Sequence, residues 1–211
     1  NRTLGRILSQ PIYRDVLLFG KALGAVSAMA VMLLALWLLV IGCAMLFLGV
    51  PPSGEQIARA MAFYVVTLLY ALLWYMVGMA ASIMFRQSAV SALLAIALWL
   101  FFMIFWPMIA QLLAYALGGG DSFTTAKLQV VLGRVSPYQL YVESAIAILN
   151  PSTRSLGVVL FSQLQGAIMG SALPFAQSML LIWPHLTAFL ATIIILFSLA
   201  YVLFQRKEIR M

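Results

Sequence analysis

The chain has 211 residues, 65% of them hydrophobic and only 8% charged, with twelve Lys and Arg against five Asp and Glu. A surplus of cations in so apolar a chain points to a membrane protein anchored on its cytoplasmic side. It does not point to nucleic acid, because the cations are scattered singly through polar turns and form no patch interleaved with aromatic residues.

In chain order, residues 1–21 form a cytoplasmic segment with a short amphipathic piece over 3–10 that Pro11 stops. Four runs free of Asp, Glu, Lys and Arg follow, at 22–54, 60–85, 87–120 and 155–205. Each exceeds the ~20 apolar residues that cross ~30 Å of hydrocarbon. Backbone groups facing lipid must bond within their own segment, so these runs are helices. The fold class is therefore all-α and polytopic, with transmembrane helices expected at 22–50, 57–85, 88–117 and 183–204.

The first helix is expected from near Tyr13 through Leu48. Pro51, Pro52, Ser53 and Gly54 make the outer turn, and Ser53 and Gln56 have the spacing of a capping box that opens the second helix. Glu55 and Arg59, four apart, read as a solvated pair at that helix start. Arg86, Gln87 and Ser88 make a tight cytoplasmic turn, and the third helix continues to about Leu117, where Gly118, Gly119, Gly120 and Asp121 end it. Residues 118–182 are then an extracytoplasmic region with interfacial helices. Its clearest helix has Ser136 as N-cap, Pro137 at the first helical position and Asn150-Pro151 as the stop. Tyr141, Ala145, Ile148 and Leu149 share one face of it, with Gln139, Glu143 and Ser144 mostly elsewhere, so it is expected on the outer membrane surface. The last run could hold two spans. Its first half carries Ser162, Gln163, Gln165 and Ser171, a poor surface for lipid, so one span over 183–204 is expected.

Orientation follows from charge. With residues 1–21 in the cytoplasm, Arg2, Arg6, Arg14, Lys21, Arg86, Arg206, Lys207 and Arg210 lie inside. Arg59, Lys127, Arg134 and Arg154 lie outside, which is the bias of the positive-inside rule. A second crossing in the last run would export the basic C-terminal cluster.

Chemistry has few places to reside. Gly20-Lys21 lacks the partners of a phosphate loop, since Asp15 stands where its first glycine belongs and Ala22 where its hydroxyl belongs. Lys21 reads as a snorkelling interfacial cation. Cys43 is single and lies inside an apolar run, which rules out an intrachain disulfide and leaves no metal-ligand spacing. His185, the one histidine, follows Trp183-Pro184 and reads as an interfacial residue beside an aromatic anchor. No acid lies inside any run, so transport coupled to ions through buried carboxylates has no residue to use. The methionines within the helices are ordinary apolar filler. Gly20-x-x-x-Gly24 and Gly166-x-x-x-Gly170 allow close helix approach but are common in such chains. Neither a catalytic residue, a metal site nor a cofactor site is expected.

Thr3-Leu4-Gly5-Arg6-Ile7-Leu8-Ser9-Gln10-Pro11-Ile12-Tyr13-Arg14, with Gly20-Lys21 after it, resembles the "TL..LLS.PI.R.....GK" segment of ABC-2-type transporter permeases. Tyr201 to Arg210 is similar to that family's closing "Y..F.R.EIR", and Leu149-Asn150-Pro151 to its outer "LNP". The resemblance covers essentially the whole chain. It implies that the segment containing Leu4, Arg6, Leu8, Pro11 and Arg14 couples the protein to an ATPase, and that the four spans are helices three to six of a six-helix permease. Two further apolar spans are then expected before Asn1.

The function expected on this resemblance is that of a permease subunit of an ATP-driven exporter. Its implied partners are an ABC ATPase, a second permease copy and the lipid of the inner (plasma) membrane, with ATP hydrolysis left to the partner. The alternatives are a non-transporting membrane anchor or assembly factor, and an intramembrane enzyme using His185. Only the last predicts that His185 is essential.

Overall fold

A computed structural model describes residues 14–49, 51–85, 87–157 and 173–206. The described residues are helical with short turns. They form α1 (Arg14–Leu48), α2 (Gly54–Met84), α3 (Ser88–Leu100), a π turn (Phe101–Phe105), α4 (Trp106–Leu117), α5 (Ser122–Gly133), α6 (Pro137–Leu149) and α7 (Phe175–Arg206). Four stretches have the length and apolarity to cross a bilayer: Leu18–Phe47, Gly54–Met84, Ser88–Leu117 and Phe175–Arg206. The shortest has 30 residues, which at ~1.5 Å per residue exceeds the hydrocarbon thickness and leaves room for tilt.

Local sequence explains the helix ends. Ser53 Oγ accepts from Gln56 N–H at 3.3 Å while Gln56 Oε1 accepts from Ser53 N–H at 2.8 Å, so the capping box forms as its spacing predicts. Asp121 caps α5 through the amides of Phe123 and Thr124. Between α4 and α5 the chain turns at Gly119 and Gly120, with φ of 60° and 86°. At Gly118 a Cβ would meet the Ala114 carbonyl oxygen at 2.8 Å, so only glycine fits without a shift.

The third span is not one uninterrupted α-helix. Pro107 has no N–H and its ring clashes with the preceding turn, and the backbone responds by opening the π turn at Phe101–Phe105. Trp106 N–H then reaches back to the Phe101 carbonyl, and the Phe102 carbonyl is left facing a proline. Ser136 Oγ donates to that carbonyl at 2.8 Å. Ser136 does sit at the N-cap of α6, but its hydroxyl is spent on Phe102 and makes no cap.

The core lies where α2, α6 and α7 meet. Val66, Leu73 and Met76 of α2 pack with Ala147 and Ile148 of α6 and with Ile182, Phe189 and Ile193 of α7. Two expectations are corrected here. The last long helix begins at Phe175 and carries Pro184 inside it, instead of starting near residue 183. Its extra turns bury Ser178 and Ile182 within the protein, so lipid never meets their polar groups. And α6 does not turn its polar side to water: it buries Glu143 and Ser144 along with Ala147 and Ile148 while packing on α2 and α7.

Hydrogen bonds settle the relative direction of the spans. Leu173 N–H donates to the Pro151 carbonyl at 2.8 Å, and Arg59 of α2 reaches both Ile148 at the end of α6 and Ser178 near the start of α7. So α2 and α7 begin at the same end of the bundle. The rings of Phe19 and Phe197 lie 5.0 Å apart, which puts the start of α1 beside the far half of α7. The span of α3 and α4 runs back against α2, approaching closely where Gly78 faces Ala95. The outer surface of α1 is almost wholly apolar, with Val31, Met32, Leu39 and Phe47 exposed, as lipid-facing side chains should be.

Candidate functional site: an apolar cavity closed by a polar cluster

A cavity of about 520 Å³ lies between α2, α3 and α7. It follows α2 from Leu73 to Met84, a length of about 16 Å at the rise of an α-helix. Small side chains make the room: Ala80 and Ala81 of α2 and Ala188 of α7 face Leu94 and Leu98 of α3 across it. Among the described residues, helices α3 and α7 both flank the cavity without packing extensively on each other, so it is open between them. Arg134, Val135 and Pro137 close one end, where a polar cluster begins.

Glu143 is the centre of that cluster. Its Oε2 accepts from Arg134 Nε at 2.9 Å and from His185 Nε2 at 2.8 Å, and its Oε1 accepts from Gln139 Nε2 at 3.2 Å. Burial opposes ionisation of this carboxyl. The His185 and Gln139 hydrogen bonds and the charge of Arg134 outweigh it and hold Glu143 below the ordinary glutamate range. A carboxylate only accepts, so the His185 Nε2 in contact with it carries a proton. His185 itself is buried, and its Nδ1 has no hydrogen-bond partner among the described residues. Its ring is held inside the protein by Glu143 and is not exposed beside Trp183 and Pro184.

A second cluster stands beside the first. Arg59 donates to Glu55 Oε1 from Nε at 3.1 Å and from Nη2 at 2.8 Å. It also donates from Nη1 to the Ile148 carbonyl at 2.8 Å and to Ser178 Oγ at 3.1 Å, and from Nη2 to the Leu173 carbonyl. Its side chain is 7% exposed against 53% for Glu55. The pair is therefore not a solvated one: Arg59 is a buried tie between three elements, and Glu55 is its exposed counter-charge. The signal for this in the sequence is the depth of Arg59, which stands more than a turn inside a long apolar helix, where a guanidinium must find partners. Glu143 gives a weaker signal of the same kind, as the single acid on α6.

The residues the resemblance singled out lie elsewhere. Leu4, Arg6, Leu8 and Pro11, and Arg86 in the turn after α2, fall outside the described residues, while Arg14 opens α1. Among the described residues neither Gly20 nor Gly24 faces a close neighbour, so this pair brings no two described helices together. Gly166 and Gly170 fall outside the described residues. Among the described residues no three His, Cys, Asp or Glu side chains gather to hold a metal ion.

Four membrane-length helices with a long apolar cavity between them make this a membrane-embedded protein. The family model described as "ABC-2 family transporter protein" matches residues 1–209. The chain belongs to that family, and it is a membrane component of an ABC transporter. No curated protein and no solved structure matches it.

Proposed function

We propose that the chain is the permease subunit of an ABC-2-type exporter in the plasma membrane, working with a second permease copy and with cytoplasmic ATPase subunits that hydrolyse the ATP. The observation that carries this reading is the shared location of the start of α1 and the end of α7. The sequence places Arg14, Lys21, Arg206, Lys207 and Arg210 at or just beyond that end, so the positive-inside rule assigns it to the cytoplasm. There the segment with Leu4, Arg6, Leu8, Pro11 and Arg14 serves as the lever that meets the ATPase. The far ends of α2, α6 and α7, tied together by Arg59, move as one body when the lever is displaced. The cavity beside α3 offers an amphipathic cargo an entry from the bilayer.

The test is to sequence the genes flanking this one, co-purify the chain with any P-loop ATPase they encode, and measure export in vesicles. Arg6→Glu combined with Arg14→Glu should lower both ATPase binding and export at least several-fold. Reporters after Arg210 and near Ser122 must first read cytoplasmic and extracytoplasmic, which shows that insertion is intact. Full binding and full export in the double variant would remove the lever, and a chain that binds no ATPase at all would favour the membrane anchor.

A further inference from the structure

Each of the two buried arginine clusters contains its own acid: Arg59 has Glu55 and Arg134 has Glu143. Lys21 has none. It is exposed on α1, forms no ion pair with any described residue, and lines a second cavity of about 290 Å³ at the opposite end of the bundle from α6. The cavity lies where the start of α1 meets the ends of α2 and α7. Leu18, Met79 and Phe204 supply apolar walls, and Tyr75 and Ser82 add hydroxyls. Tyr75 makes only a long hydrogen bond, to the Lys21 carbonyl at 3.4 Å, while Ser82 donates to the Met79 carbonyl at 3.0 Å.

We propose that this cavity is a binding site for an anionic phospholipid, with the head-group phosphate held by Lys21 and the upper part of one acyl chain lying against Leu18, Met79 and Phe204. Three observations select the occupant. The cation has no counter-charge among the described residues, so the site prefers a negative ligand. The lining changes from charged to apolar within one cavity, as a lipid changes from phosphate to hydrocarbon. The volume is at the low end of small-ligand pockets, about 300–1,000 Å³, and so suits a head group and the start of one chain. The surrounding sequence agrees, because Arg14, Arg206, Lys207 and Arg210 outnumber Asp15 and Glu208 in the stretches that flank this end in the sequence, and basic pockets between membrane helices are general receptors for anionic head groups. A lysine that merely snorkels needs neither a cavity nor hydroxyls.

The site is independent of whether the chain couples to an ATPase, and its test reads lipid alone. The full chain is placed in nanodiscs of phosphatidylcholine containing a minor share of phosphatidylglycerol, and the lipid retained after release is measured by native mass spectrometry. The natural chain should retain phosphatidylglycerol in preference to phosphatidylcholine. Lys21→Gln should reduce that preference about fivefold, the effect of one cation at an anionic membrane surface, and Lys21→Arg should preserve it. Lys127→Gln, a cation on α5 that lines neither cavity, should leave it unchanged. Met79→Trp fills the cavity without touching the charge, and should also reduce the preference. If Lys21→Gln has no effect, the site does not exist. If Met79→Trp is silent while Lys21→Gln is not, Lys21 attracts the leaflet as a bare surface charge and the cavity is no receptor. A change of oligomeric state in Lys21→Gln, with lipid retention unaltered, would assign the cavity to a second copy of the chain and overturn the proposal.

Discussion

The two ends of the helix bundle handle charge in opposite ways. At the end that holds α6, Arg59, Arg134, Glu143 and His185 are drawn together with Ser178, Gln139 and three backbone carbonyls. At the other end, Lys21 meets no described acid and stands at a cavity mouth. A charge held within protein must be answered by protein, since desolvating it unpaired costs several kcal/mol, whereas a charge at the rim can be answered by water or lipid. Pairing at the first end joins α2, α6 and α7 into one body, and the lack of it leaves the second end free to bind something from outside the chain.

Removing Arg59 is expected to break this contrast most severely. Arg59→Met leaves the Ile148 and Leu173 carbonyls and Ser178 without their donor, and should destabilise the protein by about 3–5 kcal/mol, since each buried polar group left unsatisfied costs about 1–3 kcal/mol. Thermal unfolding in detergent measures it. Lys21→Met should change the same quantity by no more than about 0.5 kcal/mol, as for surface substitutions, and equal losses at the two sites would erase the distinction.

Next comes Glu143→Gln, which strips the counter-charge from Arg134 and weakens the acceptor of His185, and should cost about 2–3 kcal/mol, the scale of hydrogen bonds to charged groups. It also sharpens the comparison through pH. The carboxyl of Glu143 is held below its ordinary value in the folded protein, so its contribution is complete above the unfolded value of about 4.3. That contribution disappears as pH falls through the lower folded value. The natural chain should therefore lose stability on the acid side over that interval, and the Gln variant should lose less. Asp121, whose carboxylate is stabilised by Thr124 and Phe123, titrates in the same direction and keeps the residual slope from vanishing. An unchanged acid limb in Glu143→Gln would show that the cluster is not held by this charge.

Ser136→Ala is expected to have the smallest effect, about 1–2 kcal/mol, because it orphans one buried carbonyl, that of Phe102, and no charge. Amide hydrogen exchange should locate the loss around the π turn and the start of α6. A uniform loss across the bundle would mean that Ser136 does not serve Phe102 locally.

Much of this molecule is determined by its sequence alone, because the rules that apply are local. Hydrocarbon thickness converts run length into spans, the absence of water converts spans into helices, and Ser53 with Gln56 or Asp121 with Thr124 complete their caps within one turn of chain. The family was legible for a related reason: its motifs at 3–14 and 201–210 are continuous stretches, and the family model covers the first and the second as far as residue 209. What only the tertiary structure decides is the fate of polar groups whose partners are far along the chain. Arg59 lies 89 residues from Ile148 and 119 from Ser178, and Glu143 lies 42 from His185. Read beside its nearest neighbour of opposite charge, Arg59 is a surface pair with Glu55, and α6 is a helix with a polar side for water. Folding α6 and the first turns of α7 against α2 reverses both readings, because a helix face that would pay to meet lipid finds its hydrogen bonds inside the protein instead.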